Sequence, residues 1–167
     1  MAEEIEIKLA LGPGEADKLP GHPVFGAEPA PPARLANTYY DTPAGDLEAA
    51  KIALRLRRTP GHTLQTLKTA GHGSGGLSAR GEWEWEVDGD TLDLDGLTAL
   101  LPMQALGHDV LRALAPRFTT DFERQAWLID HEGARIEVAL DRGEIRAGGR
   151  SVTIDELELE LKAGEPA

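Results

Sequence analysis

The feature that most constrains this chain is an alternation of charged and apolar residues with a period of two, which recurs in stretch after stretch. Glu3-Glu4-Ile5-Glu6-Ile7-Lys8-Leu9-Ala10 opens it, and Ile52-Ala53-Leu54-Arg55-Leu56-Arg57-Arg58 repeats it. Successive side chains of a strand point to opposite faces, so each stretch predicts a strand with one charged and one greasy side. The same reading gives strands over residues 35–41, 63–69, 77–87, 118–130, 134–141, 144–147 and 153–162. Gly12-Pro13-Gly14, Thr42-Pro43-Ala44-Gly45, Pro60-Gly61, His131-Glu132-Gly133, Arg142-Gly143 and Gly148-Gly149 supply the turns between them. Helical content is small. Residues 15–19 allow one short turn, and Asp46 can cap a short helix reaching Lys51. Residues 95–101 and 103–114 carry apolar side chains at helical spacing on either side of Pro102. The Pro- and Gly-rich stretch 20–32 reads as an irregular surface connection.

Laid side by side, the strands collect on one face Glu4, Glu6 and Lys8; Arg55 and Arg57; Lys68; Arg80, Glu82 and Glu84; Arg124; Glu137 and Asp141; and Glu156 and Glu158. The other face is aliphatic or aromatic, with Ile5, Leu54, Leu56, Trp83, Trp85, Val138, Leu140, Leu157 and Leu159. A half-buried sheet with its charged side in water accounts for any one of these strands. It does not account for the repetition over most strands, with acids and bases in separate clusters. A closed antiparallel barrel of about eight strands with the charged face inside does, and the few helices then cover its apolar outside. The predicted class is α+β, mainly antiparallel β.

Composition narrows the function. The 167 residues amount to one domain, taken as residues 1–167. With 17 Lys and Arg against 29 Asp and Glu, the net charge is −12, which repels duplex nucleic acid without forbidding a local basic site. The absence of cysteine excludes disulfides, thiol nucleophiles and Cys-ligated zinc. No apolar run approaches the roughly 20 residues of a membrane helix. Met1-Ala2-Glu3-Glu4 opens with acid where a signal peptide needs base, so no membrane partner and a cytoplasmic location are expected. His22, His62, His72, His108 and His131 are scattered without metal-ligand spacing. Residues 71–76 formally satisfy a Gly-x-Gly-x-x-Gly pattern, but a strand rather than a helix follows, so a hairpin loop near the barrel mouth is expected.

A charged lumen raises an electrostatic problem that suggests its solution. Carboxylates a few ångströms apart cost on the order of several kcal/mol, and a divalent cation relieves that cost. Mg²⁺ or Mn²⁺ takes oxygen ligands, for which the pairs Glu4/Glu6 and Glu156/Glu158 are suited. Arg55, Arg57, Lys68, Arg80 and Arg124 cannot bind metal but suit phosphate oxygens. A compact polyanion that carries metal would fit such a lumen, and triphosphate has that character.

Glu4-Ile5-Glu6-Ile7-Lys8 resembles the ExExK signature of the CYTH domain, also called the triphosphate tunnel metalloenzyme superfamily. The resemblance continues in order through Tyr39-Tyr40-Asp41-Thr42-Pro43, Leu54-Arg55-Leu56-Arg57, Thr66-Leu67-Lys68, Arg80 with Glu82, Thr120-Asp121-Phe122-Glu123-Arg124, residues 136–141 and residues 156–160. It implies a tunnel-like barrel in which Glu4, Glu6, Glu156, Glu158 and Asp141 hold Mg²⁺ or Mn²⁺, two ions during turnover. Lys8, Arg55, Arg57, Lys68, Arg80 and Arg124 would grip inorganic triphosphate or polyphosphate, and Glu82 or Glu137 would orient water or a basic side chain. One metal would order the phosphate chain, and a second, involving Asp141, would activate the water that hydrolyses triphosphate to pyrophosphate and phosphate. The tract from Tyr39 and Gly75-Gly76-Leu77 are most similar to bacterial inorganic triphosphatases, whose members often carry a following CHAD domain. That domain lies outside this sequence, so an isolated or truncated catalytic domain is expected, with a C-terminal CHAD domain as a partner in a longer chain. Two other activities share the charged face: a class IV adenylate cyclase or other organic triphosphate enzyme, which needs a base pocket, and a noncatalytic polyphosphate-binding module. Oligomeric state is open.

Overall fold

The computed structural model describes residues 1–26, 28–73 and 77–165. Eight strands form the molecule's frame: β1 (Ala2–Ala10), β2 (Ala33–Asp41), β3 (Ala53–Thr59), β4 (His62–Lys68), β5 (Leu77–Val87), β6 (Ala115–His131), β7 (Ala134–Ala147) and β8 (Arg150–Ala163). They close into a barrel in the order β1-β5-β4-β3-β2-β6-β7-β8, with β8 returning to β1 and every neighbouring pair antiparallel. Among the described strands closure leaves no edge unpaired and turns the two-residue alternation into an inside and an outside. The predicted antiparallel barrel of eight strands is the architecture observed.

The apolar outside is covered in two places. Helices α1 (Asp46–Ala49), α2 (Leu94–Thr98), α3 (Leu101–Leu106) and α4 (His108–Ala113) lie over β3, β4 and β5. Leu47, Leu54, Leu67, Leu97, Met103 and Leu111 are buried there, with Trp83 and Trp85 packed against them. The Asp93 carboxylate fixes this layer, accepting from the Trp85 indole at 3.0 Å and from the Gly96 backbone at 2.8 Å, as an N-cap of α2 should. The two helices expected between residues 95 and 114 are three. Pro102 does not separate them; it sits in the first turn of α3, where a missing N–H leaves nothing unbonded. The break falls instead at Gly107, whose φ of 91° no L side chain adopts readily.

The second cover comes from the connection over residues 20–32, which is not wholly irregular. It forms a 3-10 turn at Pro23–Phe25. Phe25 is buried in a stack on Trp127, 4.7 Å between ring centroids, above Val138 and Leu140. A Pro-rich composition hid an anchoring aromatic residue.

β7 also departs from expectation. Arg142-Gly143 is no turn, because the strand runs unbroken through it and pairs with β6 and β8 on either side. Gly143 is there for close approach: a Cβ at that position would collide with the Asp121 carbonyl oxygen and the Phe122 backbone. The true hairpin turns are Glu132-Gly133 and Gly148-Gly149, with positive φ at both residues of each, the geometry of two-residue type I′ loops. Of the Gly-rich pattern at 71–76, residues 74–76 lie outside the described residues, and β5 follows it.

At one end the lumen is not charged. Leu35, Phe122 and Ile154 are buried together with Ile145 against them, all on the same alternation as the charged residues of their strands. They fill the barrel beneath the Asp141/Glu156 pair, and Gly143 makes room for Phe122. The barrel therefore holds a packed apolar plug below a polar chamber.

Candidate active site

The chamber has a volume of about 390 Å³. Glu4, Lys8, Arg55, Arg57, Lys68, Arg80, Glu82, Arg124, Glu137 and Glu158 all face it, so most of the residues singled out by alternation converge. Three stand one step back. Glu6 is 5% exposed and accepts from Arg80 Nη2 at 2.5 Å. Asp141 is 3% exposed, and both of its oxygens are taken by Arg124 at 2.7 Å. Glu156 pairs in register with Asp141, at the border of the plug.

The charges are arranged in two kinds of wall. On the β1 and β8 side, acids and bases are knitted together. Glu4 binds Lys68 at 2.7 Å and Arg80 at 3.3 Å, and Glu158 binds Lys8 at 3.1 Å and Arg124 at 2.7 Å. Burial alone would raise the Glu158 pKa, but Lys8 and Arg124 outweigh it and hold the carboxyl at about 2. Glu4 is likewise held below the usual range by Lys68 and Arg80 against the pull of burial. Glu82 and Glu156 go the other way. Burial raises both, helped by the charges of Glu4 and Glu84 on Glu82, and of Glu158 and Asp141 on Glu156.

On the β2 and β3 side the cations are bare. Arg57 donates to Asn37 Oδ1 at 2.9 Å and Arg55 reaches only the Tyr39 hydroxyl, at 3.5 Å. Among the described residues neither has a carboxylate within the 4.0 Å of an ion pair. Among the described residues the buried Arg55 Nε has no hydrogen-bond partner, an arrangement that costs free energy unless something else satisfies it. Burial, then the charges of Arg55 and Arg124, pull the Arg57 pKa down to about 10. Such a wall is built for an anion.

Oxygen donors from Glu and Asp suit a hard divalent cation, and the raised Glu82 and Glu156 mark where negative charge is undercompensated. The carboxylates are not gathered as a ready cage, however. No three Asp, Glu or His side chains converge in metal-ligand fashion among the described residues. Lys8, Lys68, Arg80 and Arg124 occupy them instead.

Tyr39, Thr66, Glu84 and Glu160, to which the sequence assigns no role, also line the chamber, as does Lys162, the basic residue near the end of β8. Their signal was the same alternation. Tyr39 follows Asn37 on the inner face and stacks on Phe118 at 4.6 Å, while Tyr40 packs outward against the helical layer. Asp41 is structural, accepting from the backbone of Thr42, Leu47 and Glu48 to start α1. The five histidines are exposed.

The lowered pKa values predict an acid-labile fold. A carboxyl whose folded pKa lies below its unfolded value of about 4.5 stabilises the protein above that pH and loses the contribution as pH falls toward the folded value. With Glu158 at about 2, and Glu4 also lowered, the melting temperature should fall steadily below about pH 4.5. Thermal melts between pH 7 and 3 check this, and a flat profile would contradict the ion-pair assignment.

A family model described as the CYTH domain matches residues 2–167. A Haemophilus influenzae protein named inorganic triphosphatase is 37% identical over 166 residues, covering 98% of this chain and 46% of that protein. The chain thus spans just under half the length of this curated relative. Among solved structures, a Hippeastrum protein described as a proposed adenylyl cyclase with a dominant triphosphatase activity superposes with a TM-score of 0.66 at 23% identity, covering 96% of this chain and 80% of that one. A Pyrococcus horikoshii protein gives 0.59 at 19% identity, covering 97% and 79%. Both share the fold. No helix among the described residues is long and apolar enough to cross a membrane. The matched residues take in all eight strands of the barrel, and the chain belongs to the CYTH domain family.

Proposed function

We propose that the chamber binds inorganic triphosphate together with a divalent cation, Mg²⁺ or Mn²⁺, and hydrolyses it to pyrophosphate and phosphate. The observation that carries this reading is the bare pair Arg55 and Arg57 with its partnerless buried Nε, facing a carboxylate wall across one enclosed space. A pure anion binder needs no such wall, and a cation binder needs no such arginines. The name of the Haemophilus influenzae relative supports the same substrate.

Arg55 and Arg57 present forked donors to non-bridging phosphate oxygens, and the buried Nε of Arg55 gains the partner it lacks. Arg124 and Lys8 share Glu158, and Lys68 and Arg80 share Glu4. When a polyanion enters, these cations can turn from carboxylate to phosphate without leaving the chamber. The carboxylates they release, Glu4, Glu6 and Glu158, together with Glu156, are the residues that would hold the cation. When bound, the cation neutralises phosphate oxygens and acidifies a coordinated water. Asp141, doubly bonded to Arg124, fixes that guanidinium, so Asp141 reaches substrate through Arg124. Glu82 faces the chamber with its pKa raised by burial and by Glu4 and Glu84, the condition that suits a group accepting the proton of the attacking water. The donors stand in place before substrate arrives and are most effective where charge develops on the transferring phosphoryl group.

The test is product identity. Incubated with inorganic triphosphate, ATP, thiamine triphosphate and long polyphosphate, with Mg²⁺ or Mn²⁺, the protein should release phosphate and pyrophosphate fastest from inorganic triphosphate. Cyclic AMP from ATP would make it a cyclase, and tight binding of long polyphosphate without turnover would make it a noncatalytic module.

A further inference from the structure

In a chain with 29 acids and 17 bases, an arginine without a carboxylate partner is an anomaly. Most of the described arginines outside the chamber have one: Arg34, Arg58, Arg112, Arg135, Arg142 and Arg146 each sit within ion-pair distance of Asp or Glu. Among the described residues the unpaired arginines gather in two places only. One is the chamber, with Arg55 and Arg57. The other is an open groove of about 580 Å³ between the start of β6 and the β7–β8 hairpin, which holds Arg117 and Arg150 with Arg146 beside them.

The two places adjoin. Tyr39 lines the chamber, Phe118 lines the groove, and their rings stack 4.6 Å apart at an interplanar angle of 13°. A second link runs from Arg57 to Asn37 at 2.9 Å and from Asn37 to Thr120 at 2.8 Å, next to Thr119 in the groove wall. The nearby acids are spoken for: Glu144 pairs with Arg146, and Asp121 is held by Arg34 at 2.6 Å. The hairpin tip, Gly148-Gly149, lines the groove and adds no negative side chain.

We infer that the Arg117, Arg146 and Arg150 groove is a second anion-binding site, which takes a segment of linear inorganic polyphosphate on the outside of the barrel, divided from the chamber by the apolar plug. Single-stranded nucleic acid is the competing polyanion. It is favoured by rows of aromatic rings on which successive bases stack. The groove offers one ring, Phe118, and one face of that ring is already covered by Tyr39. Repeated cations with little stacking surface match a chain of bare phosphates. The inference takes phosphate as the anion from the triphosphate reading, but its test is independent of turnover.

The experiment measures equilibrium binding in EDTA, where metal-dependent cleavage is suppressed, to end-labelled polyphosphate of about sixty phosphates and to triphosphate, over a range of salt. In the triple variant Arg117→Ala, Arg146→Ala, Arg150→Ala, polyphosphate affinity should fall about tenfold at low salt, and the slope of log affinity against log salt should shrink by about 2. Triphosphate affinity should stay within about twofold, and the corresponding triple Lys variant should retain most of the polyphosphate affinity. Since all three side chains are exposed, the melting temperature should hold. The single variants Arg117→Ala and Arg150→Ala supply the same comparison should the triple variant fold poorly. Unchanged polyphosphate binding, equal losses for both ligands, or equal competition by a single-stranded oligonucleotide of matched charge would each overturn the inference. Loss of polyphosphate binding in the variant, from a wild type that does not cleave triphosphate, would sink the hydrolase reading and leave the groove standing.

Discussion

Arg57→Ala is expected to lower kcat/KM for triphosphate by about 100- to 1,000-fold while leaving the melting temperature unchanged or slightly raised. The two halves of that expectation have one cause. Arg57 is buried among like charges: burial, then Arg55 and Arg124, depress its pKa to about 10, and among the described residues its side chain's one hydrogen-bond partner is the Asn37 side chain. In the resting protein it is a charge held against its preference, so removing it relieves repulsion. In the complex it is a forked donor facing phosphate, so removing it forfeits charge-assisted hydrogen bonds. Arg57→Lys keeps the charge but not the fork and should fall between. Kinetics and thermal melts on the same preparations separate these outcomes. A fall of several degrees with nearly normal turnover would show a structural ion pair in place of a substrate contact.

Glu158→Gln should abolish triphosphate hydrolysis and also destabilise the fold, the reverse pattern to Arg57 on the stability axis. Glu158 joins Lys8 to Arg124, and holding its pKa at about 2 against an ordinary 4.5 corresponds to about 3 kcal/mol at neutral pH. At this chain length that amounts to a melting temperature lower by about 6–12 °C. Because the neutral amide has no proton to gain, the acid-induced loss of stability should be shallower in the variant than in the wild type, and the two profiles should approach each other near pH 3. A variant that melts like the wild type at pH 7 yet fails to turn over would assign Glu158 to chemistry alone.

The contrast between these two residues shows what the sequence could and could not convey. Alternation placed Arg57 and Glu158 on the same inner face, and it did so for nearly every chamber residue, because a barrel converts a period of two directly into inside and outside. It could not say which charges would find each other. That depends on the register between strands far apart in the chain, such as β1 with β5 and β8, and on strand tilt, neither of which is written locally. The plug was missed for a related reason. Leu35, Phe122, Ile145 and Ile154 obey the same alternation as Arg124 and Glu158, but apolar residues on the charged face read as interruptions until the register stacks them in one layer. Gly143 looked like a turn because its real role, making room for Phe122, belongs to a neighbouring strand. Phe25 was hidden by the prolines and glycines around it, and only its stack on Trp127 reveals it as a core residue. Which of the adjacent Tyr39 and Tyr40 faces inward is fixed by the pairing of β2 with β3 and β6.

The bare arginines and the carboxylate wall share a single chamber, and the proposed function requires that it receive metal and phosphate together. A crystal structure of the protein with triphosphate and Mn²⁺ tests it most directly. Phosphate density against Arg55 and Arg57, with an anomalous peak among Glu4, Glu6, Glu156 and Glu158, is the predicted result. An empty chamber with its ion pairs intact, and ligand bound only on the outer surface, would contradict it.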